Sequence, residues 1–262
     1  MRRVAVKIAY LGEGFSGSQI QPPERGLRTV QGEVLANLLR VDHVPEDRID
    51  LRFASRTDAG VSALGNVIVF YTEFSDDYNL LKAVNSVSDG VFYLSTADVD
   101  DSFNPRIAAK RMYRYTCPSY GIDLERFTEA AKLFEGHHDF RRFAKNETGR
   151  STVMVIDSVD VSTDGPTISV DFCADFYLWN MIRRIMAAVI QVGKGMTDCD
   201  DVKRKLAGED GTFGLAKPVG LTLTDVTYDD IVFERPESCP YERNLRQALY
   251  LDSLRSDFHK SL

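Results

Sequence analysis

The chain is short of the residues that most metal and redox sites use, with four cysteines and four histidines in 262 residues. Cys117, Cys173, Cys199 and Cys239 are widely scattered, with no Cys-x-x-Cys pair for zinc or dithiol chemistry, and read as reduced structural thiols. His137-His138-Asp139 is a possible metal cluster, but neighbours along a strand or helix point in diverging directions, so no metal is expected there. No apolar run approaches the roughly 18 residues of a membrane span. The N-terminal Met1-Arg2-Arg3-Val4 leads straight into a strand pattern rather than an apolar leader, which points to a cytosolic compartment. There is no excess of positive charge either. Lys and Arg number 32 against 39 Asp and Glu, a net charge of −7 that on its face argues against a nucleic-acid partner.

The average hides a local asymmetry. Residues 103–118 carry Arg106, Lys110, Arg111 and Arg114 and no acid, and residues 177–195 carry Arg183, Arg184 and Lys194 and no acid. Residues 73–101, by contrast, hold seven acids and one lysine. Basic segments on an acidic background can line a site for a polyanion, or they can be solvated faces.

The length suits one large domain or two small ones. Val4, Val6, Ile8 and Tyr10 alternate as a strand, and Thr29 can cap a helix whose Val30, Val34, Leu38 and Val41 share a face. Strands are expected at residues 51–54 and 66–71, a helix at 78–87 and a strand at 91–99. The second half repeats the order: a strand at 111–117, a helix at 124–134 behind Asp123, and strands at 152–161 and 167–173 across Thr163-Asp164-Gly165-Pro166. A long helix at 177–192, a short one at 201–206 and a closing strand at 221–228 follow. Two successive βαββαβ units make the chain α+β, as two tandem ferredoxin-like (RRM-like) halves with a central cleft. The halves are set at 1–102 and 103–235, the first carrying the Asp58 loop, with 236–262 as an appendage.

Gly12-Glu13-Gly14-Phe15-Ser16-Gly17 matches the glycine pattern of dinucleotide-binding turns and follows a strand. That mechanism needs a helix to begin there so that its amides hold the pyrophosphate. Pro22-Pro23 and Gly26 follow instead, and the dinucleotide reading is rejected in favour of a Gly-rich loop.

Three pieces carry chemistry. Ala54-Ser55-Arg56-Thr57-Asp58-Ala59-Gly60-Val61 places a cation and a carboxylate two residues apart on one loop. That pair could grip a phosphate and attack or deprotonate a substrate; the same residue types also build ordinary turns. Lys110-Arg111-Met112-Tyr113-Arg114-Tyr115 puts Tyr113 and Tyr115 on one strand face with Arg114 on the other, which suits stacking on a nucleobase or burial in a core. Asn180-Met181-Ile182-Arg183-Arg184-Ile185-Met186 sets Arg183 in an apolar helix, where it either finds a carboxylate or snorkels to the surface.

Together with Phe103-Asn104-Pro105-Arg106, Val30-Gln31, Asp139-Phe140, Phe143 and Gly220-Leu221, these motifs resemble those of archaeal-like TruA-family tRNA pseudouridine synthases, from about Lys7 to Tyr228. The resemblance implies the pseudouridine synthase fold and isomerisation of uridine to pseudouridine in the anticodon arm of tRNA, at nucleotides 38 to 40, without metal or cofactor. It implies Asp58 as the essential carboxylate, Arg183 as its partner, and Tyr113 both stacked on the target uracil and, as a third catalytic residue, helping to take the C5 proton. Leu221 would pack on the ring, Arg56 would hold RNA or fill the gap left by a flipped nucleotide, and Arg106, Arg111 and Arg114 would be further RNA contacts. A homodimer with tRNA across both subunits is implied as well. The chain departs from the family's usual pattern at Ser18, where Trp is frequent, at Ser62, where His is frequent, and at Arg111-Met112, where a more basic doublet is usual.

Two other classes compete. A non-catalytic pair of RRM-like modules would need an RNP-type octamer, whose glycines are missing from residues 110–115. A hydrolase using Asp58 with His137, His138 and Asp139 would need a metal and lacks a suitable spacing.

Overall fold

The fold is that of a computed structural model, which describes residues 1–145, 148–238, 241, 245–246, 249 and 252–253. The chain divides into two compact units. The first comprises Met1–Thr57, Gly65–Ile107 and the chain from Asp230; the second comprises Asp58–Leu64 and Ala108–Asp229.

In the first unit, β1 (Arg2–Tyr10) is followed by α1 (Val30–Val41), the single turn α2 (Glu46–Ile49), β2 (Arg52–Phe53), β3 (Ser62–Thr72), α3 (Asp77–Val87) and β4 (Val91–Asp98). The strand order is β4-β1-β3 with β2 on β3. The helices begin where capping chemistry allows: the Thr29 hydroxyl accepts from the Gly32 amide, and the Asp76 carboxylate accepts from Asn79. Val30, Val34 and Leu38 are buried and Leu80, Leu81 and Val84 answer them from α3. The Gly12–Gly14 segment is a single 3₁₀ turn and the next α-helix starts only at Val30.

The second unit holds β5 (Lys110–Pro118), α4 (Leu124–Lys132), β6 (Gly136–Asp139), β7 (Val153–Ile156), β8 (Ser158–Asp164), β9 (Thr167–Ala174), α5 (Met181–Gly193), α6 (Cys199–Leu206) and β10 (Leu221–Thr227). Its order, β10-β5-β9-β8, is the order of the first unit. With its first residues, β3 joins this unit too, pairing Ser62 with Thr222 and Ala63 with Leu223 in parallel. The α+β class and the repeated βαββαβ unit are therefore both present.

Two expected boundaries move. The strand expected over 152–161 is two strands, because β7 leaves the main sheet to pair with β6, and β8 resumes at Ser158 beside β9. His137 and His138 lie in β6, which has no strong β-forming pattern to announce it. The helix expected from residue 177 begins at Met181, because Asn180 sits in the left-handed region at φ 62°, which ends helical continuity on its N-terminal side. Most of the 236–262 appendage, with Cys239, lies outside the described residues. Among the described residues no helix is long and apolar enough to cross a membrane.

Candidate active site

The residues that lead into the Asp58 loop are held by buried polar side chains. Asn66 Oδ1 accepts from the Ser55 amide, and its Nδ2 donates back to the Ser55 carbonyl. Ser18, only 2% exposed, donates its own amide to the Thr57 carbonyl while its hydroxyl accepts from the Thr57 amide at 2.8 Å. The hydroxyl at position 18 thus acts as a backbone clamp on the residue before Asp58. The loop then turns back: the Val61 amide donates to the Asp58 carbonyl, and Gly60 occupies the left-handed region at φ 81° with Pro218 against it. A β-carbon there would be strained, which explains the glycine.

Asp58 meets Arg183 directly. Arg183 Nη1 donates to Asp58 Oδ2 at 2.9 Å, and to Asn180 Oδ1 at 3.3 Å. Arg183 Nε donates to the Ala216 carbonyl at 2.9 Å, while the Ala216 amide donates to the Arg183 carbonyl. The guanidinium is 13% exposed and the carboxylate 36%. A planar fork locked by three acceptors fixes the carboxylate's orientation in a way a single ammonium could not. Among the described residues, Asp58 Oδ1 has no partner, so one oxygen is anchored and the other is open to a reactant.

Behind this pair lies the segment before β10. The Tyr115 phenol donates to the Lys217 carbonyl at 3.0 Å. Burial pushes its pKa up to about 12, against the opposing pull of the Arg183 charge, so it remains a donor at neutral pH. Gly220 lies flat on β5: an added β-carbon would come within 2.6 Å of the Thr116 carbonyl and 2.8 Å of the Tyr115 ring. This close approach sets Leu221, 7% exposed, opposite Tyr115, and Leu223 opposite Tyr113. Tyr113 is 8% exposed, with its ring edge-to-face on Tyr177 at 5.2 Å and 84°. The Tyr177 oxygen is buried without a hydrogen-bond partner among the described residues, and burial holds its pKa well above the ordinary phenol value.

Asp58, Arg183, Tyr113 and Leu221 therefore all belong to the second unit. Of the other candidates, Arg111 is in the same unit and donates to the Asp175 carbonyl at 2.6 Å; burial first lowers its pKa. Arg114 forms a bidentate pair with Asp171 across β9 on the exposed face. Arg56 and Arg106, both exposed, belong to the first unit. The sequence reading missed Asn180, Ala216 and the Tyr115–Lys217 bond. A polar Asn ahead of an apolar helix was the one visible signal, since backbone acceptors leave no mark in sequence. Asp139 is held by Arg141 and Thr152, which keep its carboxyl low, at about 2, and His138 Nε2 lies at 3.0 Å from the Glu135 carbonyl. Among the described residues no three His, Cys, Asp or Glu side chains are grouped to hold a metal ion.

The family model described as tRNA pseudouridine synthase matches residues 130–229. The tRNA pseudouridine synthase A of Pyrococcus abyssi is 40% identical over 235 residues, covering 88% of this chain and 86% of its own. That of Methanosarcina acetivorans is 34% identical over 265 residues, covering 96% and 97%. Among solved structures, a Cbf5-Nop10-Gar1 complex aligns with a TM-score of 0.35 and 13% identity, over 71% of this chain and 45% of that one. The chain belongs to the tRNA pseudouridine synthase A family, and is an isomerase.

Proposed function

We propose that the protein converts uridine to pseudouridine in the anticodon arm of tRNA, at nucleotides 38 to 40, in the cytosol, as a homodimer and without metal or cofactor. The observation that carries this reading is the Asp58–Arg183 pair, with Oδ2 anchored and Oδ1 open. In the reaction the N1–C1′ bond of the nucleotide breaks, the uracil turns, and a C5–C1′ bond forms. C5 loses its proton and N1 gains one, so the product is an isomer.

Asp58 Oδ1 serves this chemistry by one of three routes: attack on C1′, attack on the base, or removal of a sugar proton to give a glycal. Each needs the carboxylate oriented and charged, and the guanidinium supplies both the orientation and a compensating cation. Tyr113 lies under the uracil and Leu221 packs on it, while Arg56, Arg106, Arg111 and Arg114 bind the RNA. Arg111 and Arg114 already have protein partners, so their RNA contacts add to or replace existing bonds. Extracting a base from its stack costs a few kcal/mol, which phosphate contacts must offset.

Tritium release from tRNA labelled at C5 of uridine tests the reading. Release should persist in chelator, map to the anticodon arm, and vanish in Asp58→Asn with tRNA binding retained. A mutant that still releases tritium at the wild-type rate would remove Asp58 from the mechanism. Light scattering on the purified chain tests the homodimer.

A further inference from the structure

We propose that the turn between β9 and α5 is a stacking platform for an unpaired nucleotide next to the target uridine, with Trp179 as its ring and Lys145 and Arg150 as its cations. The proposal rests on the tRNA reading above and extends it to residues outside the candidate catalytic set.

Trp179 is 45% exposed although its neighbours Leu178 and Met181 are 6% and 1% exposed. The turn could have buried this large ring and does not. The Lys145 ammonium lies 3.8 Å from the indole centroid, and the Lys145 amide donates to the Trp179 carbonyl at 2.8 Å. Three residues earlier in the same turn, Phe176 carries the Arg150 guanidinium 5.4 Å from its ring centre. Two rings of one turn are thus each flanked by a cation from one nearby stretch of chain. Asp175 opens the turn with its carboxylate 2.7 Å from the Lys110 ammonium, and from Phe176 to Thr197 the chain contains no acid. A flat ring beside cations, with the turn's one acid already paired to a lysine, matches a ligand with a flat face and a phosphate on each side, which is a nucleotide. A duplex end presents far fewer free base faces than a loop, so the occupant is an unpaired base. The platform is also tied to the chemistry by chain connectivity: Asn180, next to Trp179, accepts from the Arg183 guanidinium that holds Asp58.

Trp179 is the only tryptophan in the chain, so intrinsic indole fluorescence reports on this position alone. The full chain would be titrated with a tRNA stem–loop carrying uridine, and with a blunt duplex of the same stem, while binding is followed independently by gel shift. The platform requires emission to quench in parallel with binding of the stem–loop, and little with the duplex. Trp179→Ala, checked for folding by circular dichroism and melting, should raise KM for the stem–loop about tenfold (about 1.4 kcal/mol) with kcat within about twofold, and Trp179→Phe should recover most of that loss. Unchanged emission at saturating bound stem–loop, or a wild-type KM in Trp179→Ala, overturns the proposal. Emission that shifts with protein concentration in the absence of RNA assigns the ring to a contact between two copies, and overturns it equally. Failure of the wild type to release tritium while the stem–loop still quenches Trp179 would sink the catalytic reading and leave the platform standing.

Discussion

Replacing Arg183 with lysine preserves charge and most of the stem while deleting the fork, so it isolates what the geometry contributes. The guanidinium makes three bonds, at 2.9 Å to Asp58, 2.9 Å to the Ala216 carbonyl and 3.3 Å to Asn180. One ammonium cannot reach all three from the same stem. If it keeps Asp58, the Ala216 carbonyl and Asn180 oxygen lose their partner. At roughly 1 kcal/mol for each lost bond, the variant should be about 2 kcal/mol less stable. For a chain of this size that corresponds to a fall in melting temperature of about 4–8 °C. The kinetic effect should be larger than the stability effect. A carboxylate free to swing by about 1 Å loses on the order of 100-fold in rate, and the loss should fall on kcat rather than on tRNA affinity, because no contact with RNA phosphates is removed. Single-turnover tritium release with enzyme in excess over tRNA, beside a thermal melt, reads both quantities. A lysine variant with wild-type single-turnover rate would refute the reasoning, since charge alone would then suffice. A variant with unchanged rate but lowered melting temperature would refute it too, by making the fork a stabilising device without a catalytic consequence.

Other outcomes follow from the same structure. Tyr115→Phe keeps the ring against Gly220 and removes only the bond to the Lys217 carbonyl; it should cost about 1 kcal/mol in a denaturant melt and lower kcat more than it changes tRNA affinity. Gly220→Ala forces a β-carbon against the Thr116 carbonyl and should destabilise by about 1–3 kcal/mol, read by the same melt; a neutral result would mean that β5 and the Pro218 turn can separate freely. Tyr177→Phe removes a buried hydroxyl that has no partner among the described residues, so it should be neutral or stabilise by about 1 kcal/mol; a destabilised variant would reveal a partner for that oxygen. Asp139 is depressed to about 2, so its contribution is present above the unfolded carboxylate value and is lost as pH falls from about 4 toward 2. Melting temperatures measured down that range should fall less steeply in Asp139→Asn than in the wild type, and identical slopes would contradict the assignment.

Much of the framework was legible because the residues that form it act locally. Thr29, Asp76 and Asp123 all cap helices through their own side chains, and of these Thr29 and Asp123 were expected from sequence. The alternation in β1 and β5 was equally visible. What stayed hidden depends on backbone atoms or on distant partners. β6 exists because β7 offers it a neighbour, not because His137 and His138 favour strands. The start of α5 was misplaced because the hydrophobic pattern runs through Asn180 and says nothing of its left-handed backbone. At the site, a charged residue in an apolar helix announced that Arg183 needed a partner, and the family motif singled out Asp58. The Ala216 carbonyl that completes the fork could not be read, since every residue has a carbonyl. Ser18, noted only as a departure from a common tryptophan, turns out to brace the loop with its hydroxyl.

The seven residues Asp58–Leu64 are borrowed from one half of the sequence to complete the other. A gene cut between the halves would give a C-terminal product that owns Arg183, Tyr113 and Leu221 but neither the acid nor the strand that flanks β10. Mixing the two products could restore turnover only through faithful complementation, with a segment carried by one fragment folding into the other. The second compact unit is therefore not the C-terminal half of the sequence alone, since it needs seven residues from ahead of Gly65 to be complete.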